Sequence, residues 1–294
     1  MTEQLLGQPV AASIQEATRA KIRELPHAPA PKLVSVHRAT TSPFSFYLKQ
    51  QAKAAEAVGV GFEEQGLDAS ETPHSIVARL RRLNADTSVD AVLLEHPLPP
   101  PFDFFAAASE LRPEKDVDGV GALNLGHLLA RRPIQVPAVA LAAMAIARHY
   151  RLPIQGQRVA VLGRSETVGL PLALLLLLRG EGGDATVTIA HSQTPNLAET
   201  LRGVSVIFSC VGHPGLLTRA NVPPGTAVVD VGLSSLPDPA RTSGVRAAGD
   251  ADAASLDGWA SALTPVPGGV GPVTVAQLMW NAVHGWSLLR GESR

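Results

Sequence analysis

Gly163 and Gly169 bound the segment Gly163-Arg-Ser-Glu-Thr-Val-Gly169, which follows Val159-Ala-Val-Leu162 and leads into the apolar run from Leu170 to Leu178. A short buried strand, a tight glycine turn and the opening of an apolar helix gather free backbone N–H groups and the positive helix end at one point. That is the local geometry that holds a dinucleotide pyrophosphate. The middle glycine of the usual G-x-G-x-x-G is missing and the outer two stand six apart, so the strand and helix around them carry the reading. The next strand, from Ala185 to Ala190, ends on His191-Ser192, with no acidic residue to bond a ribose 2′-hydroxyl. Ser192 and His191, with Arg164 from the glycine turn, can instead supply donors and positive charge to a 2′-phosphate, so NADP is the expected cofactor. The plainer readings are a solvated loop charge for Arg164 and a turn without a ligand for the glycines.

A second block, Thr264-Pro-Val-Pro-Gly-Gly-Val-Gly-Pro-Val-Thr274, concentrates proline and glycine ahead of a long amphipathic helix. Together the two blocks point to an enzyme that holds a nucleotide beside a second ligand. Nearer the N-terminus, a helix with Ser42 as N-cap and Pro43 at its first position places Tyr47 and Gln51 four apart, on one face. Lys49 and Lys53 each stand two residues from Gln51, roughly 200° around the axis, and cannot replace it without a register change. Asp118 precedes Gly119, where a carboxylate could simply cap its own turn.

These residues need elements to position them, and two stretches of alternating helix and strand signals provide them. The first has a helix around 11–25, a strand at 32–36, a helix after Pro43, a strand near 58–63, a helix through 76–84 and a strand at 91–94. A helical segment, 138–151, leads to the second, with strands at 159–162, 185–190, 204–211 and 227–231 and a possible fifth at 262–263. Alternation of this kind makes parallel pairing the default, and the second half reads as a doubly wound nucleotide-binding domain. In the final helix, 273–289, Val275, Leu278, Met279, Ala282 and Trp286 recur at helical spacing and should pack on the first domain. The expected division is therefore 1–137 plus 273–294 against 138–272. Residues 233–249, rich in Ser, Pro, Arg and Gly, read as a mobile surface loop.

Composition narrows the function classes. The chain has 294 residues, 45% of them hydrophobic, enough for two ordinary domains with buried cores. Its 25 basic and 26 acidic side chains leave a net charge of −1, so no global field favours nucleic acid or an anionic membrane. The single cysteine, Cys210, excludes an intramolecular disulfide framework and a cysteine-based zinc site, and no metal is expected. The N-terminus lacks a basic region followed by an apolar core, and the run from Leu170 to Arg179 is far short of the roughly 20 residues that span a bilayer. A cytoplasmic protein is expected.

The blocks Gly163-Arg-Ser-x-x-Val-Gly-x-Pro171, His191-Ser-x-Thr194, Val229-Asp-Val-Gly232, Pro113-Glu-Lys-Asp-Val-Asp-Gly119 and Thr264-Pro-Val-Pro-Gly-Gly-Val-Gly-Pro272 resemble, in type and order, those of the bifunctional methylenetetrahydrofolate dehydrogenase/methenyltetrahydrofolate cyclohydrolase family. The resemblance extends over nearly the whole chain. It implies an N-terminal α/β domain on the folate side, a Rossmann-type NADP domain and a cleft between them. It also implies hydride transfer from the folate methylene to NADP, then hydrolysis of the methenyl product to 10-formyltetrahydrofolate, and a homodimer formed through the second domain. Cofactor contacts are implied at Gly163, Arg164, Ser165, Gly169, His191, Ser192, Gly212, Leu233 and Thr274. Folate contacts are implied at Tyr47, Asp118, Pro267, Gly268 and Gly269, with Asp118 bonding the pterin ring.

Three positions depart from the family pattern. In its Tyr-x-x-x-Lys motif the tyrosine stacks on the pterin and the lysine assists hydrolysis; here the pair is Tyr47 and Gln51. The family's Gln-Leu-Pro-Leu-Pro reads Glu95-His-Pro-Leu-Pro99, which puts a carboxylate where an amide would bond the lysine. Its Pro-Cys-Thr-Pro turn becomes Pro137-Ala-Val-Ala140. Hydride transfer needs two rings correctly placed and a stabilised cation, whereas hydrolysis needs a group that can exchange protons. Gln51 cannot, which leaves Glu95, and His96 if it is more than a loop residue. The catalytic set is then Tyr47, Gln51, Glu95 and Asp118, the dehydrogenase is more secure than the cyclohydrolase, and two alternatives stand: a fully bifunctional enzyme using Glu95, or a non-catalytic folate or nucleotide binder.

Overall fold

A computed structural model describes residues 1–38, 43–68, 70–98, 100–180, 182–239 and 244–291. The chain divides into two compact units, one of residues 12–138 and 275–294, the other of 1–11 and 139–274. In chain order the elements are β1 (Glu3–Gln4), α1 (Gly7–Arg23), β2 (Lys32–Arg38), α2 (Pro43–Val58), β3 (Gly61–Leu67), α3 (Pro73–Ala85), β4 (Ala91–Leu94), α4 (Phe104–Ala108), α5 (Ala122–Leu129) and α6 (Ala138–His149). There follow β5 (Arg158–Leu162), α7 (Gly169–Leu177), β6 (Thr186–Ala190), α8 (Leu197–Thr200), β7 (Val206–Ser209), β8 (Ala227–Asp230), β9 (Ser234–Pro237), β10 (Val245–Ala248), α9 (Ala253–Leu256), β11 (Ala262–Leu263) and α10 (Val270–Leu289).

The unit of 12–138 and 275–294 is built on a parallel sheet ordered β3-β2-β4. Successive side chains of a strand face opposite sides, and here both sides are apolar. Val34, Val36, Val92 and Leu94 enter one core with Ile76, Leu80, Phe104 and Ala108 from α3 and α4. Leu33, Ala91 and Leu93 enter the other, with Ala55 and Val58 of α2 and Met279, Ala282 and Trp286 of α10. The apolar stripe expected on the last helix, Trp286 included, thus covers this sheet. Strand β3 begins at Gly61, later than the expected 58, because Val58 and Val60 face the core from the end of α2 and the turn that follows.

The unit of 1–11 and 139–274 carries a parallel sheet ordered β1-β11-β8-β7-β5-β6. Ala160, Leu162, Ile207, Val228 and Leu263 share one core with Leu201, Leu217 and Leu256. The order reverses between β5 and β7, the kind of point at which an open α/β sheet receives a ligand beyond its strand ends. Two expectations need correction. Residues 1–11 belong with this unit and not with 12–137, because β1 pairs in parallel with β11. Residues 233–249 are not a plain loop: β9 and β10 pair antiparallel from Ser234–Pro237 to Val245–Ala248. The six short elements β1, α4, α5, α8, β9 and β10, like α9, had no sequence signal of their own. Among the described residues no helix is long and apolar enough to cross a membrane.

Candidate active site

Sterics explain the unusual glycine spacing after β5. Gly163 has φ +109°, and a Cβ there would lie 2.7 Å from the Cys210 carbonyl oxygen. A Cβ on Gly169 would lie 2.3 Å from the Gly163 carbonyl oxygen, so α7 starts directly on the turn that precedes it. One glycine turns the chain and the other seats the helix, which leaves Arg164 and Ser165 exposed at the helix N-terminus. The Leu170 N–H reaches back to the Ser165 carbonyl at 3.0 Å. Beyond β6, His191 donates its backbone N–H to Thr194 Oγ1 at 2.9 Å, and its Nδ1 accepts the Gln193 N–H at 3.2 Å. That bond engages Nδ1 and turns Nε2 away from Gln193. Ser192 beside it is exposed. The acidic residue that would select a 2′-hydroxyl is absent from this strand end.

Two buried carboxylates that sequence reading missed hold the loops after β7 and β8. Asp250 accepts Ser209 Oγ at 2.7 Å, the Val211 N–H at 2.9 Å and the His213 N–H at 2.8 Å. Asp230 accepts the N–H groups of Gly232 (2.9 Å), Asp250 (3.0 Å) and Ala251 (2.8 Å). Burial pushes the Asp230 carboxyl up to about 6, against the pull of those backbone donors. A Cβ on Gly232 would lie 2.2 Å from Asp250 Oδ1, so the two loops have no room for a side chain between them. Gly212 and Leu233 are thereby set next to each other, and Ser234 Oγ donates to the Gly212 carbonyl at 3.1 Å. Leu233 is 71% exposed, an apolar side chain offered to solvent beside a polar loop. Cys210, also of this segment, has its thiol on the Leu162 carbonyl and pushed up to about 12 by burial, which makes it structural.

Gly268 and Gly269 pack against the first turn of α1: the Gly7 N–H donates to the Gly268 carbonyl at 2.8 Å, and a Cβ on Gly7 would lie 1.8 Å from the Gly269 carbonyl oxygen. Pro267 is exposed, and Thr274 turns its hydroxyl to the Val270 carbonyl of its own helix at 3.2 Å. These four lie in the unit of the glycine turn, whereas Tyr47, Gln51, Glu95 and Asp118 lie in the other.

That second group is one cluster. Gln51 is fully buried on α2 and its Nε2 donates to Glu95 Oε1 at 2.6 Å, while Lys49 and Lys53 on the same helix are exposed, as the helical angle required. Gln51 Oε1 has no hydrogen-bond partner among the described residues. Glu95, directly after β4, also has Ser35 Oγ at 3.5 Å; burial lifts its carboxyl above the usual range, opposed by the Gln51 amide and by His37. Burial, then the nearby Glu95 and Asp118, raise the Tyr47 phenol. Ser42 and Pro99 lie outside the described residues. Ser35 and His37 came to light only through the fold, since they sit on β2 with no motif to mark them.

Asp116 settles the role of the turn before α5. It accepts the Gly119 N–H at 3.1 Å, the Gly121 N–H at 2.8 Å and Asn124 Nδ2 at 2.9 Å, so the turn is capped without Asp118. Asp118 keeps the Ala138 N–H, and burial, Asp116 and Glu95 together push its carboxyl up to about 8. Lys115, the neighbour, buries its ammonium on the carbonyls of Leu83, Asn84 and Asp86 at the end of α3. A carboxyl not taken up by its own turn, an aromatic hydroxyl and an amide–carboxylate pair suit a ligand rich in N–H donors with a flat ring. Among the described residues no group of three or more His, Cys, Asp or Glu could hold a metal ion.

Comparison with known proteins finds a match for each half of the chain. Residues 5–118 match the tetrahydrofolate dehydrogenase/cyclohydrolase catalytic domain and residues 137–289 its NAD(P)-binding domain. The "Bifunctional protein FolD" of Synechococcus sp. (strain RCC307) is 39% identical over 287 residues, 97% of this chain and 95% of that one. Among solved structures, the methylenetetrahydrofolate dehydrogenase-cyclohydrolase of Trypanosoma brucei, complexed with NADP cofactor and inhibitor, superposes with a TM-score of 0.91 at 34% identity over 99% of each chain. The 5,10-methylenetetrahydrofolate dehydrogenase of Bombyx mori gives a TM-score of 0.91 at 32% identity, covering 99% of this chain and 100% of that one.

Proposed function

We propose, since the chain belongs to the tetrahydrofolate dehydrogenase/cyclohydrolase family, that it oxidises 5,10-methylenetetrahydrofolate to the 5,10-methenyl cation with NADP and hydrolyses that product poorly. The observation that carries the second half is the 2.6 Å bond from Gln51 to Glu95, with both neighbouring lysines facing solvent. Removing a hydride from the methylene carbon moves no proton, so an amide and a carboxylate can hold the folate while the reaction proceeds. Hydrolysis needs a proton taken from water and one given to a ring nitrogen, and Gln51 has no titratable group.

NADP supplies the hydride acceptor. The residues present fit it: Gly163 and Gly169, where a side chain would collide with backbone, fold the turn tightly enough to bring the N-terminus of α7, with Arg164 and Ser165 exposed on it, to the end of β5. In this reading Gly163, Ser165 and Gly169 form the phosphate turn, Arg164, His191 and Ser192 take the 2′-phosphate, Gly212, Leu233 and Thr274 complete the nucleotide set, and Pro267, Gly268 and Gly269 complete the folate set. Steady-state NADPH formation from methylenetetrahydrofolate tests the assignment, and its absence at saturating substrate would leave a binder. In the same assay Arg164→Ala should weaken NADP by about 1–3 kcal/mol, the scale of a lost charge-assisted bond, and NAD much less. Equal turnover of NAD and NADP by the unaltered protein would remove the 2′-phosphate site.

Asp118 orients the pterin, whose edge offers N–H donors and so calls for an acceptor. A carboxyl held at about 8 is mostly protonated at neutral pH, so folate binding has to draw its proton off. Folate affinity should therefore rise with pH and level off above about 8, with proton release detectable in weak buffer near pH 7. Asp118→Asn should flatten that dependence and weaken folate by roughly 10- to 100-fold, the scale of a charged hydrogen bond, with NADP affinity unchanged. An equal loss of NADP binding would refute this role.

A homodimer in the cytoplasm completes the reading. Strand β6 is a sheet edge with Ile189 38% exposed, and α7 turns Leu170 (40%) and Leu177 (50%) outward, an apolar surface that a second copy would cover. The free, half-buried Cys210 suits a reducing compartment.

A further inference from the structure

The buried amides Gln135, Gln277 and Asn281 lie against the segment carrying Asp118. Asn281 of α10 is 2% exposed, and its Nδ2 donates to two backbone carbonyls, Val117 at 2.8 Å and Val136 at 3.0 Å. Val117 immediately precedes Asp118, and Val136 lies two residues before Ala138, whose N–H bonds the Asp118 carboxylate. One side-chain nitrogen therefore fastens the strip that bears Asp118 to the strip that restrains it. The strips abut without side chains between them: Gly119 has φ +65°, and a Cβ there would lie 2.7 Å from the Val136 carbonyl carbon. Gln277 Nε2 donates to Asn281 Oδ1 at 3.3 Å, which fixes the amide so that its nitrogen faces the two carbonyls. Gln135 Nε2 in turn bonds the Asn281 carbonyl at 2.8 Å and the Glu114 carbonyl at 3.3 Å.

We propose that Asn281 is the positioning residue for Asp118: it sets where the carboxylate meets the folate and touches neither ligand. The inference rests on the reading of Asp118 as the pterin-orienting group. An aspartate at 281 could not serve, since it would set a carboxylate against two carbonyl oxygens, and an aliphatic side chain would leave both carbonyls buried without donors. Nothing in the sequence marks Asn281, which stands 163 residues from Asp118 inside an apolar helix.

The test is a double-mutant cycle on the full chain, with methylenetetrahydrofolate varied at saturating NADP. Asn281→Ala should raise the folate KM by about tenfold, a typical coupling between residues in one network, with NADP affinity unchanged. In the Asp118→Asn background the same substitution should change the folate KM less than about twofold, because the group it positions is gone. A merely structural role predicts a lower melting temperature and the same KM factor in both backgrounds, and that result overturns the proposal. If Asp118→Asn alone leaves folate kinetics untouched, the reading of Asp118 fails and takes this inference with it. Should Asn281→Ala not fold, Asn281→His, which keeps one donor, replaces it with the same readout and the same criterion.

Discussion

Asp250→Ala should lower the melting temperature by roughly 6–20 °C and remove measurable NADP binding at concentrations that saturate the unaltered protein. The carboxylate accepts from the Ser209 hydroxyl and from the Val211 and His213 N–H groups, and those bonds hold the chain on either side of Gly212. Alanine leaves one buried and two partly buried donors without acceptors and opens a space beneath the loop. Hydrogen bonds to a carboxylate are worth about 1.5–3 kcal/mol each, so losing three that are partly exposed costs about 3–5 kcal/mol, and each kcal/mol moves the melting temperature of a domain this size by about 2–4 °C. Binding falls further than stability, because the Gly232–Leu233 turn rests on the Asp250 side chain as well and both loops loosen together. Asp250→Asn separates the effects. Its oxygen can keep two of the donors, while its NH₂ faces the third, so stability should return in part and NADP affinity should remain weaker than in the parent protein. Calorimetry and a nucleotide-fluorescence titration on the two variants decide it, and normal NADP binding by Asp250→Ala would show that the loops hold their places without the carboxylate.

How much of this was legible beforehand depended on the range of the interaction. Gly163 and Gly169 could be read because the demand on them is local: strand, turn and helix lie within about a dozen residues, and the collisions that require glycine come from the same segment or its neighbour Cys210. The Tyr47–Gln51 face and the outward lysines followed from the helical angle alone. Asp250 could not be read, since its partners stand about forty residues away and its own surroundings, Gly249 and Ala251, resemble any surface turn. Residues 1–11 were misassigned because a two-residue strand has no periodicity to detect; only its pairing with β11 reveals it. The β9–β10 hairpin was read as loop because Pro and Ser dominate it and its half-exposed alternation buries little. For the Asp-Val-Asp-Gly segment the sequence offered two carboxylates for one turn, and backbone geometry assigned the turn to Asp116.

The largest catalytic effect is expected at the Gln51–Glu95 contact. Methenyltetrahydrofolate should disappear at close to its spontaneous rate in the presence of this protein, while NADPH formation from the methylene substrate runs at ordinary enzymatic speed. A general acid–base group contributes about 10² to 10⁴ in rate, and an amide at that position supplies none of it. Glu95 is the titratable group in direct contact with Gln51, and its placement works against hydrolysis in two ways. Its Oε1 already accepts from Gln51 at 2.6 Å, which commits that oxygen to the amide. Any charge it carries lies close to Tyr47 and Asp118, where it stabilises a cationic folate and so favours loss of hydride over attack on the product. Gln51→Lys should place an ammonium against Glu95, pair with it and recover little, because a lysine held in a buried ion pair keeps its proton. Gln51→Lys/Glu95→Gln replaces that partner by a neutral amide, lets burial lower the lysine pKa toward neutrality, and should raise methenyl hydrolysis by about 10²-fold or more. The absorbance of methenyltetrahydrofolate, followed with each protein and with buffer alone, reads all three cases. Rapid hydrolysis by the unaltered protein that Glu95→Gln abolishes would make Glu95 the base, and the enzyme would then be bifunctional by a carboxylate route.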